Sequence, residues 1–263
     1  MQEVKLSIIV VNYKSQDYLK GCLASVFAKI GGQLPFEVIV VNNDVEADLA
    51  SVQSANPSIK IIQNKKNQGF GEGNNLGAKT ARGEFLFFLN PDTEIISTNI
   101  LELLEEFIKN PEIGIIGSQL LTTEHIAQEW GAGKAPSLWG ILKNKLKKEN
   151  KFQEEKTDKQ LFDWVSGTAL FIRRELFEKI NGFDENFFMY FEDVDLCLRV
   201  RKLGKKVLRF ADFPVLHYGG KSYDEKRTQK KQYYQSQDYY FKKHFGFFQA
   251  SLLKILRLIM YGV

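Results

Sequence analysis

With 263 residues, 44% of them hydrophobic and 26% charged, the chain can bury a core and has the composition of an ordinary globular protein, which excludes a low-complexity polymer. No apolar run approaches the ~18 residues that cross a bilayer, and two cysteines, Cys22 and Cys197, exclude a disulfide framework or a cysteine metal cluster. The net charge of +4 is uneven: residues 221–263 hold 9 Lys/Arg against 3 Asp/Glu and residues 141–160 hold 7 against 4, a surplus that suits phosphates, anionic lipid or a solvated helix face.

Residues 6–11 (LSIIVV) read as a buried strand, and 17–30 as a helix with Leu19, Cys22, Leu23, Val26 and Phe27 at helical spacing. The first apolar run is too short for a signal peptide, and with two reduced cysteines the expected setting is the cytoplasm. Residues 36–41 (FEVIVV) and 59–63 follow as strands and 64–69 as a turn. Residues 74–82 read as a helix, 84–89 (EFLFFL) as a strand, 100–109 as a helix and 113–118 as a fifth strand. Strands of nearly continuous apolar character separated by helices predict an α/β fold, Rossmann-like, with a mainly parallel sheet covered on both faces. Residues 122–137 read as loop, and 141–160 as a mobile, partly helical basic excursion. Residues 162–172 predict a strand pair or bent strand. A helix over 174–180 ends at Asn181-Gly182, and one over 193–203 stops at Gly204. Short strands at 206–210 and 215–218 and helices at 225–245 and 249–261 complete the chain. The predicted organisation is one domain over 1–220, with halves at 1–120 and 121–220, and an α-rich extension over 221–263.

In an open parallel sheet, ligands bind beyond the carboxyl ends of the strands. Those ends carry Asn12-Tyr13, then Asn42-Asn43-Asp44, then Asn67-Gln68-Gly69-Phe70-Gly71, then Asn90-Pro91-Asp92-Thr93. Four polar strand ends on one rim point to a ligand site. The glycines at 69, 71, 73 and 77 do not make a dinucleotide fingerprint, because they follow the wrong strand and Asn74 stands where the third glycine belongs. They suit a close approach of backbone to a ligand or a packed helix. Asp92 at a strand end can hold Mg²⁺ or Mn²⁺ against diphosphate oxygens, or cap a turn. Asp193, in the first turn of a helix behind an aromatic run, can be a general base or an exposed cap residue. His217 also follows an apolar strand and precedes glycines.

Jointly, SIIVVNYKSQDYLKGCLASV, NQGFGEGNNLGAKTARGEFLFFLNPDTEI, WVSGTALFIRRELFEKINGFDENFFMYFEDVDLCLRVRKLG and VLHYGG resemble glycosyltransferase family 2, in particular its bacterial rhamnosyltransferase-like branch. The resemblance implies a GT-A fold and inverting transfer of a sugar from a nucleotide-diphosphate donor. It implies a divalent metal (Mg²⁺ or Mn²⁺) at Asp92, in a motif whose first position is Asn90, with His217 as a further ligand. It also implies Asp193 as catalytic base and a base-stacking place for Tyr13. Val11, Asn43 and Gly69 join the donor-binding set, as does Asn42, which stands where the family usually has Asp. Trp164, Ser166, Gly167, Tyr190 and Glu192 form the expected acceptor wall. The branch suggests dTDP-rhamnose as donor, with UDP-galactofuranose or another UDP- or GDP-sugar as alternatives. The acceptor expected is a cell-surface glycan or lipid-linked saccharide. An inactive nucleotide-sugar-binding scaffold of the same fold is the competing reading, disfavoured by Asp92, Asp193 and His217. No nucleic-acid motif accompanies the basic segments. In ASLLKILRLIMYGV, Lys254, Arg257 and Tyr261 lie among Leu and Ile, so residues 249–261 can lie on the inner face of a membrane or pack on the domain.

Overall fold

The computed structural model describes residues 3–146, 159–219 and 226–261. The first half alternates strand and helix: β1 (Leu6–Asn12), α1 (Gln16–Ile30), β2 (Phe36–Asn42), α2 (Ala50–Ala55), β3 (Lys60–Gln63), α3 (Phe70–Ala78), β4 (Phe85–Leu89). A short β5 (Thr93–Ile95), α4 (Ile100–Lys109) and β6 (Ile113–Leu121) follow. The second half holds β7 (Ala132–Gly133), α5 (Leu138–Leu146), β8 (Lys159–Phe162), β9 (Trp164–Val165), β10 (Ala169–Arg173), α6 (Arg174–Lys179), α7 (Glu192–Lys202), β11 (Lys206–His217) and α8 (Lys226–Tyr261).

Among the described residues nine strands form one sheet, in the order β3-β2-β1-β4-β10-β6-β11-β5, with β8 also on β11. The α/β reading holds. The expected parallel arrangement runs through β3, β2, β1 and β4. Beyond them β10 enters antiparallel between β4 and β6, and β11 lies parallel to β6 but antiparallel to β5. Alternate residues of the central strands feed two cores. Ile8, Val10, Val38, Val40, Phe85 and Phe87 pack with α1 and α4 on one face. Ile9, Ile39, Val41, Leu86 and Phe88 pack with α6 and α7 on the other. Both faces are covered, so these strands are apolar on both sides. Phe87 stacks on Phe171 with centroids 3.8 Å apart, across the antiparallel β4–β10 pair.

The predicted helix over 74–82 begins earlier, at Phe70, and ends at Ala78. A Cβ on Gly73 would come within 2.9 Å of Val11 Cγ1, and one on Gly77 within 2.5 Å of Ile9 Cγ2. The four-residue glycine spacing therefore lets α3 lie directly on β1. The strands expected at 206–210 and 215–218 are one bent strand whose register on β6 shifts between Phe210 and Pro214. Residues 122–137, expected as loop, contain a 3-10 turn at Glu129–Gly131 and strand β7, which pairs with β9. The basic excursion expected at 141–160 falls mostly outside the described residues; its described ends belong to α5 and β8. The break expected between the last two helices is real: Gly246 has φ 85° and ψ 173° inside α8. The two arms fold back on each other, with Arg257 bonded to Asp238 at 2.9 Å and lying over the Tyr234 ring. Their apolar side forms a third cluster of Phe187, Phe191, Val194, Tyr240, Phe241, Ala250 and Leu253.

Candidate active site

The strand ends open into a cleft of about 980 Å³. One end is built by β1, β2 and α3. Val11, Tyr13, Asn43, Asn67, Gly69 and Phe70 line it. Gly69 has φ 87°, and a Cβ there would meet the Phe188 carbonyl oxygen at 2.3 Å, so only glycine lets the chain turn into α3 at this point. Asn43 donates to the Gly69 carbonyl at 3.0 Å and accepts from Asn64 at 2.6 Å. Asn42 differs from the rest of the expected donor set. It is fully buried and outside the cleft lining. Its Nδ2 donates to Ala47 O and Gln63 Oε1, and its Oδ1 accepts from Asn12 Nδ2 at 2.8 Å. Its amide is spent joining the ends of β1, β2 and β3.

The floor comes from the β4–β5 turn and the end of β11. The antiparallel register pairs His217 with Thr93, and the Tyr218 N–H donates to the Asp92 carbonyl at 3.0 Å. This brings His217 Nε2 to 3.6 Å from Asp92 Oδ1, with both side chains mostly buried. That gap exceeds a hydrogen bond. An imidazole nitrogen beside a carboxylate oxygen is a donor set that suits Mg²⁺ or Mn²⁺. Among the described residues no third His, Cys, Asp or Glu joins them, which leaves room for diphosphate oxygens and water, as such ions prefer. Asn90 lines the same floor; its N–H donates to Thr168 O at 2.8 Å.

The opposite wall is the β9–β10 turn and the start of α7. Tyr190 and Phe191 both adopt left-handed backbone, φ 68° and 67°, a conformation costly for bulky residues and characteristic of functional sites. It is held from outside: Ser236 of α8 donates to the Met189 carbonyl at 2.6 Å, and Phe191 packs on Tyr233 and Tyr240. The strained step delivers Glu192 and Asp193 to the first turn of α7. Asp193 accepts from the Gly167 N–H at 2.9 Å and the Val194 N–H at 2.8 Å. Burial pushes its carboxyl up, against these two backbone bonds. Burial, and next the Asp193 charge, push Glu192 up well above the carboxylate range. Among the described residues Glu192 Oε2 has no hydrogen-bond partner, whereas both Asp193 oxygens do. The hydrogen bonds therefore favour the charged form at Asp193 more than at Glu192. Trp164, Ser166, Gly167 and Tyr190 line the same wall. The Trp164 indole donates to Lys134 O at 3.0 Å, and Ser166 Oγ is tied to Thr168 Oγ1 at 2.9 Å.

Four lining residues in particular escape sequence reading. Gln128 and Trp130 lie in the stretch expected as loop, and Gln229 and Tyr233 come from α8. The clue for Gln128 was its type: an amide between Ala127 and Glu129 beside an apolar strand. For Tyr233 no local signal exists, because only the packing of α8 brings it back to the cleft.

Residues 7–181 match the family described as Glycosyl transferase family 2, and residues 154–218 match one described as the N-terminal domain of galactosyltransferase. Rhamnosyltransferase WbbL of Escherichia coli is 26% identical, with 80% of this chain and 82% of that protein covered. The low-salt glycan biosynthesis hexosyltransferase Agl10 of Haloferax volcanii is 29% identical over 75% of this chain, which spans 62% of that relative's length. The N-acetylglucosaminyl-diphospho-decaprenol L-rhamnosyltransferase of Mycobacterium tuberculosis is 24% identical over 96% of this chain and 89% of its own. Among solved structures, GalNAc-T7 with UDP, GalNAc and Mn²⁺ superposes with a TM-score of 0.68 at 15% identity, covering 92% of this chain and 51% of that one. Staphylococcus aureus TarS 1–349 gives 0.59 at 20% identity, covering 89% and 64%.

Proposed function

Because the chain belongs to glycosyl transferase family 2 and has the GT-A fold, we propose that it is an inverting glycosyltransferase using a nucleotide-diphosphate sugar. The observation that carries this is one cleft with Asp92 and His217 on its floor and the ionisable Asp193 on its wall. The acceptor hydroxyl oxygen attacks the anomeric carbon. The bond from that carbon to the diphosphate oxygen breaks, and the nucleoside diphosphate leaves with the electron pair from the opposite face. Asp193 takes the hydroxyl proton, and its raised basicity suits that work. A divalent cation held by Asp92 and His217 would offset the charge that gathers on the leaving diphosphate. Glu192, whose carboxyl is pushed up by burial, lines the same wall and offers a hydrogen-bonding partner to an acceptor or donor hydroxyl.

The donor favoured is dTDP-rhamnose, in keeping with two rhamnosyltransferase relatives. The acceptor favoured is a cell-surface glycan or a lipid-linked saccharide. The site supports donor contacts from Val11, Tyr13, Asn43, Gly69, Asn90 and Asp92, and not from the side chain of Asn42. Incubating the chain with a lipid-linked saccharide acceptor, dTDP-rhamnose or UDP- and GDP-sugars, and Mn²⁺, and measuring acceptor-dependent nucleoside diphosphate release, tests the reaction. One donor should be consumed, and Asp193→Asn should slow transfer by about 10²–10⁴-fold. Transfer by Asp193→Asn at the wild-type rate would remove the base assignment.

A membrane surface is the proposed setting. Among the described residues no helix is long and apolar enough to cross a bilayer. The second arm of α8 nevertheless exposes Phe248 (79%), Leu252, Ile255 and Ile259 (75%), at the spacing of one helical face. Exposed Lys254 flanks this stripe. Such a helix suits the plane of an anionic bilayer. Vesicles containing phosphatidylglycerol should carry the protein upward in a flotation gradient. Phe248→Glu with Ile255→Glu should abolish flotation; flotation unchanged in that variant would refute the docking face.

A further inference from the structure

Gln128 lies against the Nδ1 edge of the His217 ring and is itself buried, 7% exposed. Its side-chain amide brackets the histidine. Nε2 donates to the His217 carbonyl at 2.8 Å and, more weakly, to the Leu121 carbonyl at 3.4 Å. With the nitrogen end committed to two carbonyls, the oxygen end faces the ring, 2.9 Å from His217 Nδ1. An amide oxygen only accepts, so Nδ1 must carry the hydrogen. In a neutral imidazole the lone pair then lies on Nε2, the atom that stands 3.6 Å from Asp92 Oδ1. The Gln128 backbone is also fixed, its N–H donating to Leu120 O at 2.9 Å. The bracket is therefore anchored to β6, the strand that runs beside β11 and sets where His217 emerges.

We propose that Gln128 is a positioning residue: it locks His217 in the Nδ1–H tautomer and presents Nε2 as a lone-pair donor to a divalent cation shared with Asp92. This rests on the metal reading of the site given above. A histidine left to rotate or to place its hydrogen on Nε2 would offer the cation an N–H instead of a lone pair. Partners that orient a metal-ligating histidine typically contribute 10- to 100-fold in metal affinity.

The test separates the tautomer from the metal. The chain has 3 histidines, so long-range ¹H–¹⁵N spectra of ¹⁵N-histidine-labelled protein resolve His217 once His217→Ala assigns it. Wild type without metal should show His217 with its hydrogen on Nδ1. Gln128→Met, which keeps the bulk and removes all three side-chain bonds, should shift it toward the Nε2–H form. Mn²⁺ titrated in the presence of UDP and followed by electron paramagnetic resonance should bind about 10- to 100-fold more weakly to Gln128→Met than to wild type. Gln128→Glu retains an accepting oxygen at the ring and should stay within a few fold of wild type, which also guards against misfolding of the Met variant. An Nδ1–H tautomer and Mn²⁺ affinity both unchanged in Gln128→Met would overturn the proposal. Mn²⁺ binding indifferent to His217→Ala would overturn the metal reading on which it depends, whatever the tautomer spectra show.

Discussion

Asp195 offers the sharpest quantitative test of how the active-site wall is held. Its carboxylate is 0% exposed and lies in the first turn of α7, two residues after Asp193. It accepts from Arg199 at 2.7 Å, from His244 Nε2 at 2.7 Å and from Lys243 at 2.5 Å. Lys243 continues to Asp184 at 2.7 Å. Replacing Asp195 by Ala leaves two cationic side chains around a buried void. Breaking a buried ion pair from one side costs about 3–5 kcal/mol. Arg199 and Lys243 keep some solvent, 19% and 25% exposed, which places the expected loss near the low end, about 3 kcal/mol. At ~2–4 °C per kcal/mol for a domain of this size, Tm should fall by roughly 6–12 °C. The pH dependence has a definite sign. Burial opposes ionisation of Asp195, but His244, Arg199 and Lys243 outweigh it and hold the carboxyl below its usual range. Its stabilisation is therefore present above the ordinary aspartate pKa of about 3.9 and fades as pH falls through the lower folded value. Scanning calorimetry of wild type and Asp195→Ala between pH 7 and pH 3 measures both. A Tm difference under about 2 °C at pH 7 would refute the view that α8 clamps the start of α7 electrostatically.

The Glu192–Asp193 pair should behave oppositely, since both carboxyls are raised by burial. Their stabilising effect exists below the unfolded pKa and is lost as pH rises, so Glu192→Gln should gain Tm over wild type progressively from pH 4 to pH 7; a gain that is constant with pH would contradict the shift. The acid limb of kcat/KM should lie above the ordinary aspartate range, as read from a pH–rate profile of the wild type. Gly69→Ala should lower the urea midpoint, with ~1–3 kcal/mol from its positive φ alone and more from the Phe188 carbonyl 2.3 Å from the new Cβ. Isothermal titration with UDP or dTDP should show weakened binding as well, and an unaffected midpoint would count against the turn geometry.

The sequence carries much of the fold because local rules and global packing agree in the first half. LSIIVV, FEVIVV and EFLFFL are apolar on both faces, as strands must be when helices cover both sides. Each strand end could be searched for ligand groups, and Asp92 and Asn43 emerged that way. What stayed hidden depends on pairing between distant segments. Nothing local in ALFIR says that β10 runs antiparallel between β4 and β6. The approach of His217 to Asp92 follows from the β5–β11 register, which no spacing rule supplies. Asn42 stands at a strand end like the other donor candidates, but its amide bonds to Asn12, Ala47, Gln63 and Asp44, which only the folded neighbours reveal. The paired left-handed residues Tyr190 and Phe191 run against intrinsic preference, and only the α8 contacts explain their survival.

The break at Gly246 divides α8 into an arm that grips the catalytic segment and an arm whose outer face meets none of it. Phe248 and Ile259 are exposed and outside the cleft lining, whereas Ser236 bonds to Met189 of that lining and Lys243 bonds to Asp184 and Asp195 on either side of it. The proposed docking face and the contacts to the cleft wall thus lie on opposite sides of one glycine. If that outer face docks on lipid as proposed, substitutions on it change where the chain sits and leave the cleft residues in place. Turnover measured on soluble substrates should then be the same with and without them.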